Sequence, residues 1–324
     1  MTATRREKEL YGCDVKIVRR KEDCTVFRIA NDSGDVVMTS YEVFPGIHLV
    51  YNDVHIRKCR IGCADIGDII EINHCLEGRI ECEFRDDFFY LSQGDVSISR
   101  KGDTGHDFYF PSSHYHGISI MIDVERTPDC FSCFLKDVNV RPAVLIDKFC
   151  GGDTCFVMRA KPELEHVFLE LYSVPESIRK GYFKVKVLEI LLFLSGIDPH
   201  GEPSVQRSVP KSKVVLAKRV CRYLTENMDS RFTIDQLSVY FHVSGTQIKS
   251  SFKSVYGTSV YSFVRTQKMQ EAARMLKQTN HTILDIAGRF GYDNGSKFAK
   301  AFRDVMGVSP AEYREVEKSL NETG

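Results

Sequence analysis

The 324-residue sequence predicts an α+β protein of two domains. We expect an amino-terminal β-barrel or sandwich with two trailing helices, and an all-helical carboxyl-terminal domain. Three observations favour this class: the length fits two domains of roughly 100–200 residues, β-type runs crowd residues 1–160, and helical periodicity fills residues 213–324. The hydrophobic share of 43% and the charged share of 27% are ordinary for globular proteins and exclude collagen-like or disordered chains.

The first predicted domain, residues 1–160, contains many short runs of β-branched and aromatic residues. Turn residues separate them, as at Leu76-Glu77-Gly78-Arg79 and Ser92-Gln93-Gly94-Asp95. Many short strands between Gly- and Asp-containing turns are typical of a barrel or a sandwich.

Residues 161–196 change to helical periodicity and form the predicted dimerisation segment. One face of the second helix carries Ile178, Tyr182, Val185, Leu188 and Leu192. The adjacent run from Ile190 to Leu194 is apolar on all sides, which is more than one surface helix needs. The surplus predicts a homodimer, since two-fold pairing is the commonest way to cover it. The alternative is that Leu191 and Phe193 pack on the barrel or on the helix at 162–173.

A polar stretch with three prolines, residues 197–212, is the predicted linker. Residues 1–210 carry a net charge of −7 and residues 211–324 a net charge of +7, so the formal total is zero. The asymmetry indicates either two tasks, of which the basic one concerns nucleic acid, or a chance sorting of surface charge. The polar amino terminus and the lack of a long apolar run predict a cytoplasmic protein with no membrane partner.

The carboxyl-terminal third contains an internal repeat. Thr233, Ile234, Leu237 and Phe241 recur 49 residues later as Thr282, Ile283, Ile286 and Phe290; Ile248, Phe252 and Gly257 recur 50 residues later as Phe298, Phe302 and Gly307. The one-residue slip falls where a turn should lie. Each copy therefore predicts a helix-turn-helix, at about 231–256 and 280–306.

An uninterrupted helical pattern, residues 259–279, joins the two copies. A helix of that length spans ~30 Å, which is close to the ~34 Å between major grooves on one face of B-DNA. Lys249 and Lys253 lie on the second helix of the first copy, and Lys297, Lys300 and Arg303 on that of the second. The pattern predicts two recognition helices in adjacent grooves. A structural helical-repeat protein would not need these basic surfaces.

Residues of about 213–315, within a predicted domain of 213–324, resemble the DNA-binding domain of the AraC/XylS family of bacterial transcription regulators. The matching residues include Ser244 to Phe252 and Gly257 in the first copy, and Ile283 to Ala287, Gly291-Tyr292, Ser296 to Phe302 and Gly307 to Arg314 in the second. The resemblance and exposure together imply base contacts by Thr246, Lys249, Ser250, Lys297 and Lys300. They imply phosphate contacts by Lys253, Arg265, Arg303 and Asn294. Gly295 departs from the family pattern, which often has a longer side chain there.

The amino-terminal segment around Glu71 to Ser99 resembles the cupin-like sensory barrel found before this domain in many family members. The resemblance implies a regulator of transcription that binds double-stranded promoter DNA and an unidentified small-molecule effector. It implies activation, and hence RNA polymerase as a partner, more often than repression. We expect no enzymatic activity and no cofactor.

Two motifs support a competing class. His114-x-His116 could supply two metal ligands on one strand face, as in a cupin-type metal enzyme, but the wider His/Glu pattern is missing and ordinary strand histidines are favoured. Cys59-x3-Cys63 and Cys130-x2-Cys133 have the spacing of a zinc site, as in a zinc-thiolate methyl-acceptor repair regulator. Their separation across a β-rich region argues against it, so no metal ligand is predicted.

Overall fold

The computed structural model describes residues 2–31, 34–61, 69–84, 87–101, 106–127, 141–151, 155–199, 208–230 and 232–315. The chain divides into two compact units, Met1–Pro210 and Lys211–Gly324. Positions 200–207 of the predicted linker lie outside the described residues, as do Cys63, Cys130 and Cys133 of the possible zinc site. Within the described ranges, no helix is both long and apolar enough to cross a membrane.

The first unit is rich in β-structure. Its strands are β1 (Lys16–Arg20), β2 (Thr25–Asn31), β3 (Gly34–Phe44), β4 (Ile47–His55), β5 (Lys58–Ile61), β6 (Ile69–Phe84), β7 (Asp87–Ser92), β8 (Asp95–Lys101), β9 (His106–Tyr109), β10 (Tyr115–Asp123) and β11 (Phe156–Arg159). Its helices are α1 (Arg5–Tyr11), α2 (Pro142–Cys150), α3 (Pro162–Glu170) and α4 (Arg179–Ser195), with short 3₁₀ turns between α3 and α4.

The strands form one sheet in the order β1-β2-β3-β4-β10-β6-β8-β11, and every pairing is antiparallel. Strand β6 extends beyond this path to pair with β7 and β9, and β9 also pairs with β5. Among the described strands the path does not close on itself. The predicted fold class is confirmed as a sheet-rich unit followed by a helical one, with an open sheet in place of a closed barrel.

The two faces of the sheet bury different cores. On β10, Ile118 and Ile120 pack with α2, α3 and α4, whereas Tyr115 and Met121 pack on the opposite face with α1. This division follows from the two-residue period of a strand, which sends alternate side chains to opposite faces. Both faces are covered, so β10 is buried along almost its whole length.

Helix α4 buries a stripe different from the predicted apolar face. Its core contacts come from Phe183, Val187, Ile190, Leu191 and Leu194. On the predicted face, by contrast, Ile178 and Val185 are exposed, and Tyr182, Leu188 and Leu192 are half-buried. Leu191 is thus buried in the core that the sheet shares with these helices, in line with the alternative, whereas Phe193 is exposed. Both stripes are apolar in sequence, and the position of the helix against the sheet decides which stripe is buried.

The second unit is helical. It contains α5 (Lys211–Glu226), α6 (Ile234–Phe241), α7 (Gly245–Tyr256), α8 (Val260–Gln278), α9 (Ile283–Arg289) and α10 (Gly295–Met306). Thr233 and Thr282 form capping boxes with Gln236 and Asp285, three residues on. The hydrogen bond from Thr282 lowers the pKa of Asp285 and stabilises its charge at the helix amino terminus.

The turn between the two helices of each copy needs a left-handed residue. In the second copy this position is Gly291, with φ of 78°, and in the first it is His242, with φ of 54°. Glycine adopts this conformation without steric cost, whereas histidine does not. The turn is followed by a polar cap, Ser244 in one copy and Asn294 in the other.

Candidate nucleic-acid interface

Helix α7 presents a polar stripe on its solvent side. Thr246, Lys249, Ser250 and Lys253 are all exposed and follow the i, i+3, i+4, i+7 spacing of one helix face. The opposite face is fixed, because Ile248 and Phe252 are completely buried. The helix therefore holds four donor side chains in one row along its outer surface.

Helix α10 repeats this arrangement with more positive charge. Lys297, Lys300 and Arg303 are exposed, whereas Phe298 and Phe302 are completely buried. A shift of 50 residues superimposes Ser250 on Lys300 and Lys253 on Arg303 in sequence. The second stripe is thus the more basic of the two.

Helix α8 connects the two recognition helices. Its 19 residues give a length of about 28 Å at 1.5 Å per residue. In its first half, the Phe263 ring lies 5.3 Å from the ring of Phe252 on α7. In its second half, Met269 and Leu276 share a core with Phe298 and Phe302 of α10. Both recognition helices are thus packed on one rigid element.

Two of the predicted phosphate-contacting residues have partners within the unit. The Arg265 guanidinium of α8 forms an ion pair with Asp304 of α10. The Asn294 side chain caps α10, since its Oδ1 accepts from the amides of Ser296, at 2.8 Å, and Lys297, at 3.3 Å. For Asn294, the side-chain NH₂ group then remains as the donor to a phosphate.

Two further residues on these stripes were not singled out from the sequence. Gln247 and Ser296 are exposed beside the predicted contacts. In the 50-residue repeat, Gln247 is equivalent to Lys297 and Ser296 is equivalent to Thr246. The repeat could therefore have identified both residues from the sequence. Glutamine can make paired hydrogen bonds to adenine in the major groove.

The glycines that begin the two recognition helices differ in their surroundings. A Cβ atom at Gly245 would lie 2.8 Å from the Ile234 methyl carbon Cγ2, whereas one at Gly295 would lie 3.8 Å from the nearest atom, on Leu284. The first glycine is therefore required by tight packing of α7 on α6. The second leaves the start of α10 open, with no side chain to reach the DNA from that position.

Comparison with known proteins agrees with this architecture. A helix-turn-helix domain model matches residues 237–315. The F1 operon positive regulatory protein of Yersinia pestis is 30% identical over 103 residues, which cover 32% of this chain and 34% of that protein. The arabinose operon regulatory protein of Salmonella typhimurium is 22% identical over 228 residues, 69% of this chain and 78% of that protein.

Among solved structures, the DNA-binding domain of the global transcriptional factor AdpA, in complex with a target DNA, is 24% identical. It covers 33% of this chain and 97% of that domain, with a TM-score of 0.32. The chain spans about a third of the length of the first curated relatives that it matches. These relatives are named as regulators and not as enzymes. The carboxyl-terminal unit of this chain thus carries a helix-turn-helix domain and is similar to proteins that are named as regulators.

Proposed function

We propose that this protein is a sequence-specific regulator of transcription that binds double-stranded promoter DNA through α7 and α10. The observation that carries the proposal is the pair of exposed polar stripes held on one 19-residue helix. The unit that holds them has 18 basic and 11 acidic side chains, which suits a polyanionic partner. Lysine donates well to guanine, and serine and threonine can contact several bases.

The proposed effector site is the cavity between the sheet and α1. Its volume is about 40 Å³, which is room for a few water molecules at ~10–15 Å³ each. A hydrogen-bonded chain lines it: Tyr115 donates to Asn73 Oδ1 at 2.6 Å, and Asn52 Nδ2 donates to Ser119 Oγ at 2.8 Å. A small-molecule effector would have to open this cavity, and that movement would be the signal.

The proposed homodimer uses the uncovered face of α4. Val185 is 62% exposed and Ile178 is 52% exposed, although both are apolar. The same helix buries Phe183 and Val187 on its other side, so this face is left for a partner. A second copy of the chain would cover this apolar face, and its two-fold symmetry would match that of paired promoter half-sites.

Activation through RNA polymerase is the proposed outcome of DNA binding. The support is by analogy, because the relative from Yersinia pestis is named as a positive regulator. The exposed side chains of Val239 and Tyr240 on α6 are not among the proposed DNA contacts and offer a surface for the polymerase. Binding of the operator and transcription from its promoter can therefore be measured separately.

The DNA-binding proposal is tested by separating base contacts from phosphate contacts. Lys249→Ala should reduce the preference for operator over random DNA by ~1–3 kcal/mol, because a base contact discriminates between sequences. Arg265→Ala should weaken both complexes about equally, and only slightly, because Asp304 already neutralises part of its charge. Competition binding with the full chain measures both ratios, with Lys277→Ala as the exposed control. Equal specificity ratios for all three variants would contradict the assignment.

The dimer is tested on the α4 face. Val185→Glu with Leu188→Glu should weaken self-association at least a hundredfold, because an unpaired charge buried in an interface costs ~3–5 kcal/mol. Val18→Glu is the matched control, since Val18 on β1 is also 62% exposed. Sedimentation equilibrium at micromolar concentration gives the answer. A monomeric wild-type protein would exclude this interface.

A further inference from the structure

Three histidines that are distant in sequence meet at one end of the sheet. His55 ends β4, His114 immediately precedes β10, and His116 is the second residue of β10. One potential ligand atom from each of the three residues lies within 4.8 Å of the other two. The ring centroids of His114 and His116 are 4.5 Å apart, and the His55 ring lies 5.3 Å and 5.5 Å from them.

Strand register accounts for this meeting. His116 pairs directly with Asp53 across β10 and β4, and His114 and His55 follow on the same sheet face because side chains alternate. This face continues into the core behind α3 and α4 through Ile118. The cluster is therefore separate from the proposed effector cavity, which lies on the other face and includes Tyr115.

Two glycines allow the neighbouring strands to approach the cluster closely. A Cβ atom at Gly34 of β3 would lie 1.8 Å from the His55 carbonyl oxygen, and one at Gly78 of β6 would lie 2.1 Å from that of His114. Both glycines have positive φ, 141° and 86°. The backbones of His55 and His114 are thus held by β3 on one side of the β4–β10 pair and by β6 on the other.

Asp53 adds a carboxylate beside two of the three imidazoles. Its Oδ1 lies 2.8 Å from His55 Nε2 and 3.2 Å from His116 Nε2. Bonds of 2.0–2.1 Å to a tetrahedral zinc ion place ligand atoms about 3.3 Å apart. This oxygen is buried and accepts no hydrogen bond, even though the two nitrogens are close. The 3.2 Å separation is close to the spacing expected around zinc, whereas the 2.8 Å separation is shorter and lies in the hydrogen-bond range. Because Asp53 Oδ1 has no hydrogen bond to lose, it is available to a shared cation.

We propose that His55, His114, His116 and Asp53 bind a divalent transition-metal ion of the zinc type. Imidazole nitrogens favour zinc, copper or nickel over calcium and magnesium, which prefer oxygen. Glu77 Oε1 lies 3.2 Å from His114 Nε2. That carboxylate would orient the ring and leave its other nitrogen for the metal, as carboxylates beside metal-bound histidines do. The side chains of the four ligands are one-third to one-half exposed, so an ion can enter from solvent.

The sequence favoured ordinary strand histidines at positions 114 and 116. The third imidazole lies 59 residues earlier in the chain, and only the strand pairing brings it into reach.

Buried thiols are poorer competitors for the ion. Burial raises the pKa of Cys75 to about 12, and metal binding needs the thiolate.

The test titrates the untagged, chelator-treated full chain with Co²⁺ and follows its visible spectrum. We expect one ion per chain, with the absorption of a four-coordinate nitrogen and oxygen site and no thiolate-to-cobalt charge transfer. His55→Asn and His116→Asn should each weaken binding at least tenfold, since even outer-shell changes cost ~10–100-fold. His166→Asn is the control, because this exposed histidine of α3 pairs only with Glu170 among the described ion pairs.

A second measurement covers the effect of each substitution on folding. Zn²⁺ should raise the melting temperature of the wild type and of the His166→Asn variant, because a ligand that binds the folded state stabilises it. It should not raise that of His55→Asn, whose replaced side chain is exposed and leaves the core intact. Equal metal affinity in wild type and His55→Asn, or a thiolate signature in the cobalt spectrum, would overturn the proposal.

Discussion

A chain carrying Lys297→Glu and Lys300→Glu should bind its operator about a hundredfold more weakly than the wild type, or worse. Both lysines are exposed on the outer row of α10. A well-made lysine contact to guanine is worth ~1–3 kcal/mol, and glutamate in its place repels the phosphates. The folded unit should be unaffected, because the buried side of α10 keeps Phe298 and Phe302. Fluorescence anisotropy with a labelled operator gives the affinities.

The matched control separates position from net charge. Arg222→Glu with Lys277→Glu makes the same change in total charge, on exposed sites of α5 and α8. We expect this variant to lose little affinity. The salt dependence of binding should also become shallower only for the α10 variant, because glutamates held against the DNA reduce the number of counterions that binding releases. Equal losses in both variants would mean that overall charge, and not α10, attracts the DNA.

The helical unit was the more predictable of the two because its contacts are local in sequence. The pair Thr233 and Gln236 lies within one helical turn, and its capping box is present as the spacing indicated. The predicted helix over 259–279 is observed as Val260–Gln278. Local hydrogen bonds and a 3.6-residue period are sufficient to fix such elements. Buried apolar residues, Ile248 and Phe252 in α7 and the two phenylalanines in α10, decide which face of each recognition helix is exposed.

The sheet unit was less predictable because its contacts join distant parts of the chain. No local pattern shows that β10 lies between β4 and β6, and without that order His55 cannot be placed beside His114. Helix α4 illustrates the same difficulty. Its sequence offers two apolar stripes, and only the position of the sheet decides that Val187 is buried while Val185 is exposed.

The sheet unit should lose stability steeply as the pH falls below about 6.5, and His74 is the main expected cause. This β6 side chain is 1% exposed and stacks on Phe168 with ring centroids 4.5 Å apart. Neither ring nitrogen has a hydrogen-bond partner. Burial, helped by the positive charge of Arg159, lowers the pKa of His74 from 6.5 to about 4. The folded protein therefore holds this imidazole neutral.

The sign follows from proton linkage. Between pH 6.5 and pH 4 the unfolded chain binds a proton at His74 that the folded chain does not. The free energy of unfolding therefore decreases as the pH is lowered through this window. A shift from 6.5 to about 4 corresponds to ~3 kcal/mol at 1.36 kcal/mol per unit. His74→Phe keeps the stacking on Phe168 and removes the titrating group, so it should flatten this part of the profile. Some slope should remain, because burial also lowers the pKa of His48.

Hydrogen exchange followed by peptide mass spectrometry measures the effect in the full chain. Protection of β6, corrected for the intrinsic exchange rate, should fall between pH 7 and pH 4.5 in the wild type and fall much less in His74→Phe. Peptides from α7 provide an internal control, because that helix belongs to the other unit. The larger phenylalanine ring can lower the overall stability through overpacking, but it cannot restore a slope that depends on an imidazole. A pH profile of β6 protection that is the same in both proteins would refute the assignment to His74.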